Sequence, residues 1–463
     1  MPRPHLHTPV IAMRNQKGFV LIFVLCMIVV LITIFNGFLV YSRVKSASHI
    51  SHSNKIEARY AAEAGVEKCR YFLSGEKTAL WRCKNYQDTL DTKAGFIASV
   101  ENYGGYIRIT SIGFWAKARD TVMALLGECM PVAFDPAITL NKKNTKLVIG
   151  ANNRIAGDVC LVQNTIEAAA KTSYRFTGGP LINGAVIQRE EPDTLNDSLV
   201  IRYIGNVRDQ LRDFRKCDTI LHHSLDLGKT ASTAFLRNFA NKSIFVEGDV
   251  FINNDAVCSS PVRLYIERSL HISGTARTNW LSAFCGGSIV LDGESRVDNA
   301  IFYARNGITI ANHAQVSAQL LSEGMVIVSD AAHTHNPAFI YALMRKTDGL
   351  YQGGISITST EPCEGVFVAT YPGVPDNEDQ VTFYISPKSV CSGVVYNNGI
   401  MEFRGTITGH CTTKGFYRKE GETSFYNWLF NTVVDRVSFS STFALPVIFS
   451  GTPLLKTVSL HEN

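Results

Sequence analysis

Apolar and polar positions follow three different rhythms along this chain. Residues 19–41 hold almost no polar position and no charge. As a helix rising 1.5 Å per residue, this run reaches about 35 Å, enough for a bilayer core of about 30 Å. Residues 42–73 keep a helical rhythm but mix in polar groups. They contain no proline and a single glycine, Gly65, and place Ile56, Tyr60 and Ala64 on one face. Ser74-Gly75 is the stop signal. One helix over 19–73 would run about 80 Å.

Beyond the helix the period falls to two. Residues 96–100, 106–112 and 121–125 read as strands, with Tyr103-Gly104-Gly105 as the hairpin turn between the first two. So small a sheet needs the helix to pack against.

The third rhythm is a repeat. Leu270-His271-Ile272-Ser273-Gly274, Ile289-Val290-Leu291-Asp292-Gly293, Ile308-Thr309-Ile310-Ala311-Asn312 and Val326-Ile327-Val328-Ser329-Asp330 recur about 19 residues apart. Apolar side chains hold the first and third positions, as a strand with one buried face requires. The fifth is Gly, Gly, Asn and Asp, residues that accept a left-handed turn. Strand–turn–strand units at this period predict a right-handed parallel β-solenoid. Ile244-Phe245-Val246-Glu247-Gly248 reads in the same frame upstream. Val394-Val395-Tyr396-Asn397-Asn398 and Phe403-Arg404-Gly405 read as further coils, and residues 145–162 as a first one. Helical insertions are expected near Val207, Leu211 and Phe214, and over 233–239.

Composition adds limits. A net charge of +5 over 463 residues is too small to suggest a nucleic-acid partner. Glycine is plentiful at 35 and proline sparse at 15, which suits a turn-rich β body. Of 11 cysteines only Cys26 lies in the apolar run, and the even number after it fits disulfides in an oxidising compartment or ordinary buried thiols. Cys69 and Cys83 lie across the end of the long helix, where a bridge would tie helix to head.

Basic Lys17 gives way at Gly18 to apolar Phe19, and Tyr60-Ala61-Ala62-Glu63-Ala64-Gly65-Val66-Glu67 lies downstream. These features resemble the type IV pilin and pseudopilin superfamily, with PilX-like minor pilins and K-type minor pseudopilins as the nearest pattern. The resemblance covers roughly the first 130 residues. It implies a leader over 1–18, or a shorter one from Met13, cut after Gly18 by prepilin peptidase, with N-methylation of Phe19. The fifth mature residue, glutamate in most pilins, is Phe23 here. Such proteins sit in the bacterial inner membrane by one span, keep their heads outside the cytoplasm, and pack with other pilin subunits.

The expected layout is therefore α+β: leader 1–18, transmembrane helix 19–41, spine helix and small sheet 42–130, and solenoid head 131–463. The expected function is a structural subunit of a type IV pilus or type II secretion filament. Its head would serve tip assembly, adhesion or substrate binding, with surface polysaccharide or a secreted protein as partner. A membrane-tethered carbohydrate-active β-helix enzyme, or an anchor protein that never polymerises, is the alternative. Enzymatic β-helices stack carboxylates on one face. The positions after the turns here are Thr275, Glu294, His313 and Ala331, with Asp292 and Asp298 flanking one coil only, so no catalytic role and no cofactor is expected. Asp330, His333 and His335 could meet as metal ligands, but spacing supplies no third strong ligand, and a polar loop is the simpler reading. His222-His223 is weaker, since neighbours in a strand point apart. Gly286-Gly287 and Gly353-Gly354 read as turns.

Overall fold

The computed structural model describes residues 16–74, 85–170, 175, 180–192, 195–228, 238–239, 241–258, 261–347, 350–371, 380–439, 443–449 and 455–462. Helix α1, Gln16–Leu73, is continuous over 58 residues. Its packing face is Ala58, Ala62, Val66, Cys69 and Leu73, all buried. Small residues there let the helix lie almost on the sheet backbone. A Cβ on Gly65 would stand 2.6 Å from the Phe96 ring. The Ala-Ala-Glu-Ala-Gly run is thus the helix–sheet seam. Ile56 and Tyr60 do share a face, but it is the exposed one.

The sheet is an antiparallel meander of β1 (Tyr86–Thr89), β2 (Ala94–Tyr103), β3 (Tyr106–Trp115) and β4 (Ala118–Cys129). The three expected strands are present and longer than read. The hairpin closes with Tyr103 opposite Tyr106, and Gly104 has φ 65°. The carboxy-terminal strands Ala444–Leu445 and Leu455–Glu462, read with the head from sequence, return to pair with β4.

The head is a parallel β-solenoid with three faces per coil. The second face carries the repeat, with Leu270, Ile289, Ile308 and Val326 paired in register. The first and third positions of all four segments are fully buried, each such side chain contributing about 1.5–3 kcal/mol. Every fifth position is left-handed: Gly274 and Gly293 at φ 69°, Asn312 at 55° and Asp330 at 57°.

Two sequence assignments need correction. Ile244 pairs with Leu264 on a different face, and the upstream member of the repeat is Val250, opposite Leu270. Each coil holds several apolar–x–apolar strands, so the motif alone does not say which face it occupies. Residues 145–162 also do not precede the stack. Ile138 pairs with Cys411, Val159 with Ile138, and Val186 with Val159, so the first head segments lie beyond the last coil. Helix α2, Ser198–Arg212, leads back to the opposite end, where Thr219 pairs with Ile244. This helix fulfils the expected insertion near Val207. Most of the second, over 233–239, lies outside the described residues.

Candidate assembly and docking surfaces

The membrane-facing candidate comes first in the chain. Gly18 and Phe19 fall in the first turns of α1, while residues 1–15 lie outside the described residues. From Val20 to Tyr41 the large apolar side chains stand exposed, Phe23 at 59%. Among the described residues this is the one helix long and apolar enough to cross a membrane, and none of its apolar window is buried. Burial against protein therefore does not account for its composition. Cys69 is buried under the sheet, and Cys83 lies outside the described residues. An ion pair between Lys68 and Asp88 fastens α1 to β1. The hydrogen bond between them raises the Lys68 pKa and lowers that of Asp88.

The second surface joins sheet to solenoid. One solenoid face, with Tyr265, Phe284, Tyr303, Phe339, Tyr341 and Tyr396, forms a second core with Tyr103 and Tyr106 of the sheet and Val200, Ile204 and Val207 of α2. The three apolar residues of α2 recur at helical spacing, so one stripe meets the aromatic face. Gln319 clamps the hairpin turn. Its side chain accepts from the Gly105 N–H at 2.8 Å and donates to the Tyr103 carbonyl at 2.9 Å. Glu101 sits between Arg108 of the sheet and Arg263 of the solenoid, and Arg108 lies 4.5 Å from the Tyr103 ring centre. A hollow of about 260 Å³ opens here, lined by Tyr103, Tyr203, Tyr265 and Phe284 with Asn206 and Gln210.

Sequence reasoning did not find Gln319. The available signal was a polar residue in an apolar column, since Gln319 pairs with Ile301 on one side and Phe339 on the other.

A third surface runs along the outer corner of the head. Glu294 and His313 border a hollow of about 350 Å³ with Arg277, Arg296 and Gln315. Thr275 donates to Asp255 at 2.6 Å, Asp298 accepts from Arg296 at 2.8 Å, and Asp292 accepts from Asn312. Each of these aspartates thus has a partner of its own. His333 and His335 do meet, with ring centres 4.6 Å apart, and burial followed by the charge of His335 lowers the His333 pKa. Asp330 instead takes up the turn and accepts from Ser329 at 3.1 Å. Among the described residues no group of three or more His, Cys, Asp or Glu is placed to hold a metal ion. His222 faces Glu247 at 3.0 Å.

No family model and no curated protein matches the chain. Among solved structures, the competence-associated pilin ComZ from Thermus thermophilus aligns with 89% of this chain and 98% of its own, at 12% identity and a TM-score of 0.21. That similarity is too low to assign a fold or a function.

Proposed function

We propose that the chain is a pilin-like structural subunit of a type IV pilus or type II secretion filament. On this reading the apolar half of α1 sits in the bacterial inner membrane and the solenoid is carried outside the cytoplasm. Prepilin peptidase cuts after Gly18, and Phe19 becomes the methylated amino terminus. Cys69 and Cys83 form a bridge at the base of the spine. The role is not enzymatic, in keeping with the separately engaged carboxylates of the outer corner.

The observation that carries this reading is α1 itself. One unbroken helix has an exposed apolar first half and a second half seated on an antiparallel meander. Tyr60, 60% exposed, and Ile56 lie on the side turned away from the sheet, where a neighbouring subunit would pack. Phe23 stands where a carboxylate would pair with a neighbour's amino terminus, and a buried carboxylate of that kind is strongly held only when paired. Its replacement suits a low-copy initiating or capping subunit whose bulky head is displayed at the tip. The head would there meet surface polysaccharide or a secreted protein.

Two measurements test this. Mass spectrometry of protein from cells with and without prepilin peptidase should give Phe19 as the mature terminus only when the peptidase is present. Retention of residues 13–18 in both would reduce the chain to an ordinary anchor. Immunogold labelling of isolated filaments should mark ends, and label along the whole shaft would overturn the tip assignment.

A further inference from the structure

Four guanidinium groups converge on one hollow at an edge of the aromatic face. Successive coils place Glu267, Gly286, Arg305 and Glu323 in a column there. The backbone N–H of each donates to the coil before, to the carbonyls of Val246, Ile266, Cys285 and Ala304. Helix α2 brings Arg208 and Arg212 over the column, and Arg345 enters from a later coil. Gly286 leaves the column without a side chain between Glu267 and Arg305. The resulting hollow measures about 400 Å³, and its lining is mostly polar.

The charges do not balance. Glu323 is fully buried and is already committed to Arg208, Arg345 and the Tyr303 hydroxyl. Among the described residues, Arg212 and Arg305 make no ion pair, and Glu267 is the one other carboxylate in the lining. The Nε of Arg345 and the Oε2 of its ion-pair partner Glu323 are both buried without a hydrogen bond, so Arg345 is turned towards Glu323. Burial first, and then the charge of Arg208, lowers the Arg345 pKa, with Arg305 acting in the same direction. The site is a cationic hollow in which four guanidinium groups outnumber two carboxylates and repel one another.

We infer that this hollow is a binding site for an oxyanion group, held between Arg305 and Arg212, the two arginines of the lining that no carboxylate among the described residues engages. Guanidinium forks match the paired oxygens of a carboxylate or phosphate in bidentate, charge-assisted bonds. The carboxylate of an acidic sugar and inorganic phosphate share this chemistry. The site stands whether or not the chain assembles into a filament.

Isothermal titration of the detergent-solubilised full chain at low ionic strength, with sodium glucuronate in one arm and sodium phosphate in the other, tests it. Saturable binding of at least one is expected, and the tighter arm identifies the source. Arg305→Gln and, separately, Arg212→Gln should each weaken binding about tenfold, the scale of one lost charge-assisted hydrogen bond. Added salt should weaken it further. Both arginines are exposed, so melting curves of the variants should match the parent and separate loss of binding from loss of fold. Absence of saturable binding in both arms, or affinity unchanged in both variants, overturns the site.

Discussion

No side chain fits between Gly105 and Phe339, because a Cβ at position 105 would fall inside the contact surface of the phenylalanine ring. The glycine pair of the hairpin is therefore a docking device as well as a turn. Gly105→Ala should cost about 1–3 kcal/mol through overpacking. Gln319→Leu should cost a similar amount, about 1–3 kcal/mol, by leaving the Gly105 N–H and Tyr103 carbonyl unpaired. Thermal melting gives the size of each effect, and protease cutting near the hairpin shows whether sheet and solenoid have parted. A melting point unchanged in both variants would mean that the joint contributes nothing.

Gly113 and Gly205 should respond in opposite directions. A Cβ on Gly113 would collide with the α1 backbone at Ala58 and Ala62, whereas Gly205 on α2 has nothing within 4 Å. Gly113→Ala should loosen the spine from the sheet, while Gly205→Ala should stabilise by about 0.5–1 kcal/mol. Denaturant midpoints of the two variants check both signs.

The turn column allows an exchange test. Asn312→Gly keeps the left-handed turn and should lose only the exposed hydrogen bond to Asp292, a cost of about 0.5–1.5 kcal/mol. Asn312→Val loses the same bond and should cost about 1–2 kcal/mol more than the glycine variant, because a branched side chain resists that backbone. Equal melting points for the two variants would remove the turn from the account of the repeat.

That column shows why part of the fold was legible. The turn at residues 274, 293, 312 and 330 demands particular residues, so its period is written in the sequence. Coil neighbours are chosen by backbone hydrogen bonds, which leave no such mark. Nothing in Ile138 or Cys411 announces their pairing, and Ile244 has the same local pattern as Leu270 on another face. The helix and hairpin were legible because length, apolarity and glycine placement are local. Gln319 and the arginine hollow were not, because their partners lie far away along the chain.

His410 should make the head sensitive to acid. Its Nδ1 lies 2.6 Å from the Pro136 carbonyl and its Nε2 2.6 Å from the Thr412 hydroxyl. A carbonyl only accepts, so Nδ1 carries the proton and Nε2 accepts from Thr412. Burial is the main force lowering its pKa from 6.5 to about 3, with Arg436 and Arg189 adding to it. Below pH 6.5 the unfolded chain takes up a proton that the native chain refuses, so stability is full above that pH and declines towards about 3. Melting points from pH 7.5 downwards should fall more steeply in the parent than in His410→Gln. Parallel slopes would show that this histidine is not responsible.

The proposed bridge between Cys69 and Cys83 has its own test. Native protein kept without reductant should leave both positions unlabelled by a thiol reagent after denaturation. Cys69→Ala with Cys83→Ala should then cost about 2–4 kcal/mol. Free labelling of both would show that no bridge forms.

The stacking order of the head also sets a timetable. Synthesis delivers residues 138–189 early, yet the strand that receives Ile138 contains Cys411 and arrives near the end. Until then the early segments lack their neighbouring coil, and their strand edges stay open to any other chain. The head is sealed late, by its last coils reaching back to its first. A chain interrupted before residue 406 would carry an unclosed edge, the kind of lesion that chaperones and proteases recognise.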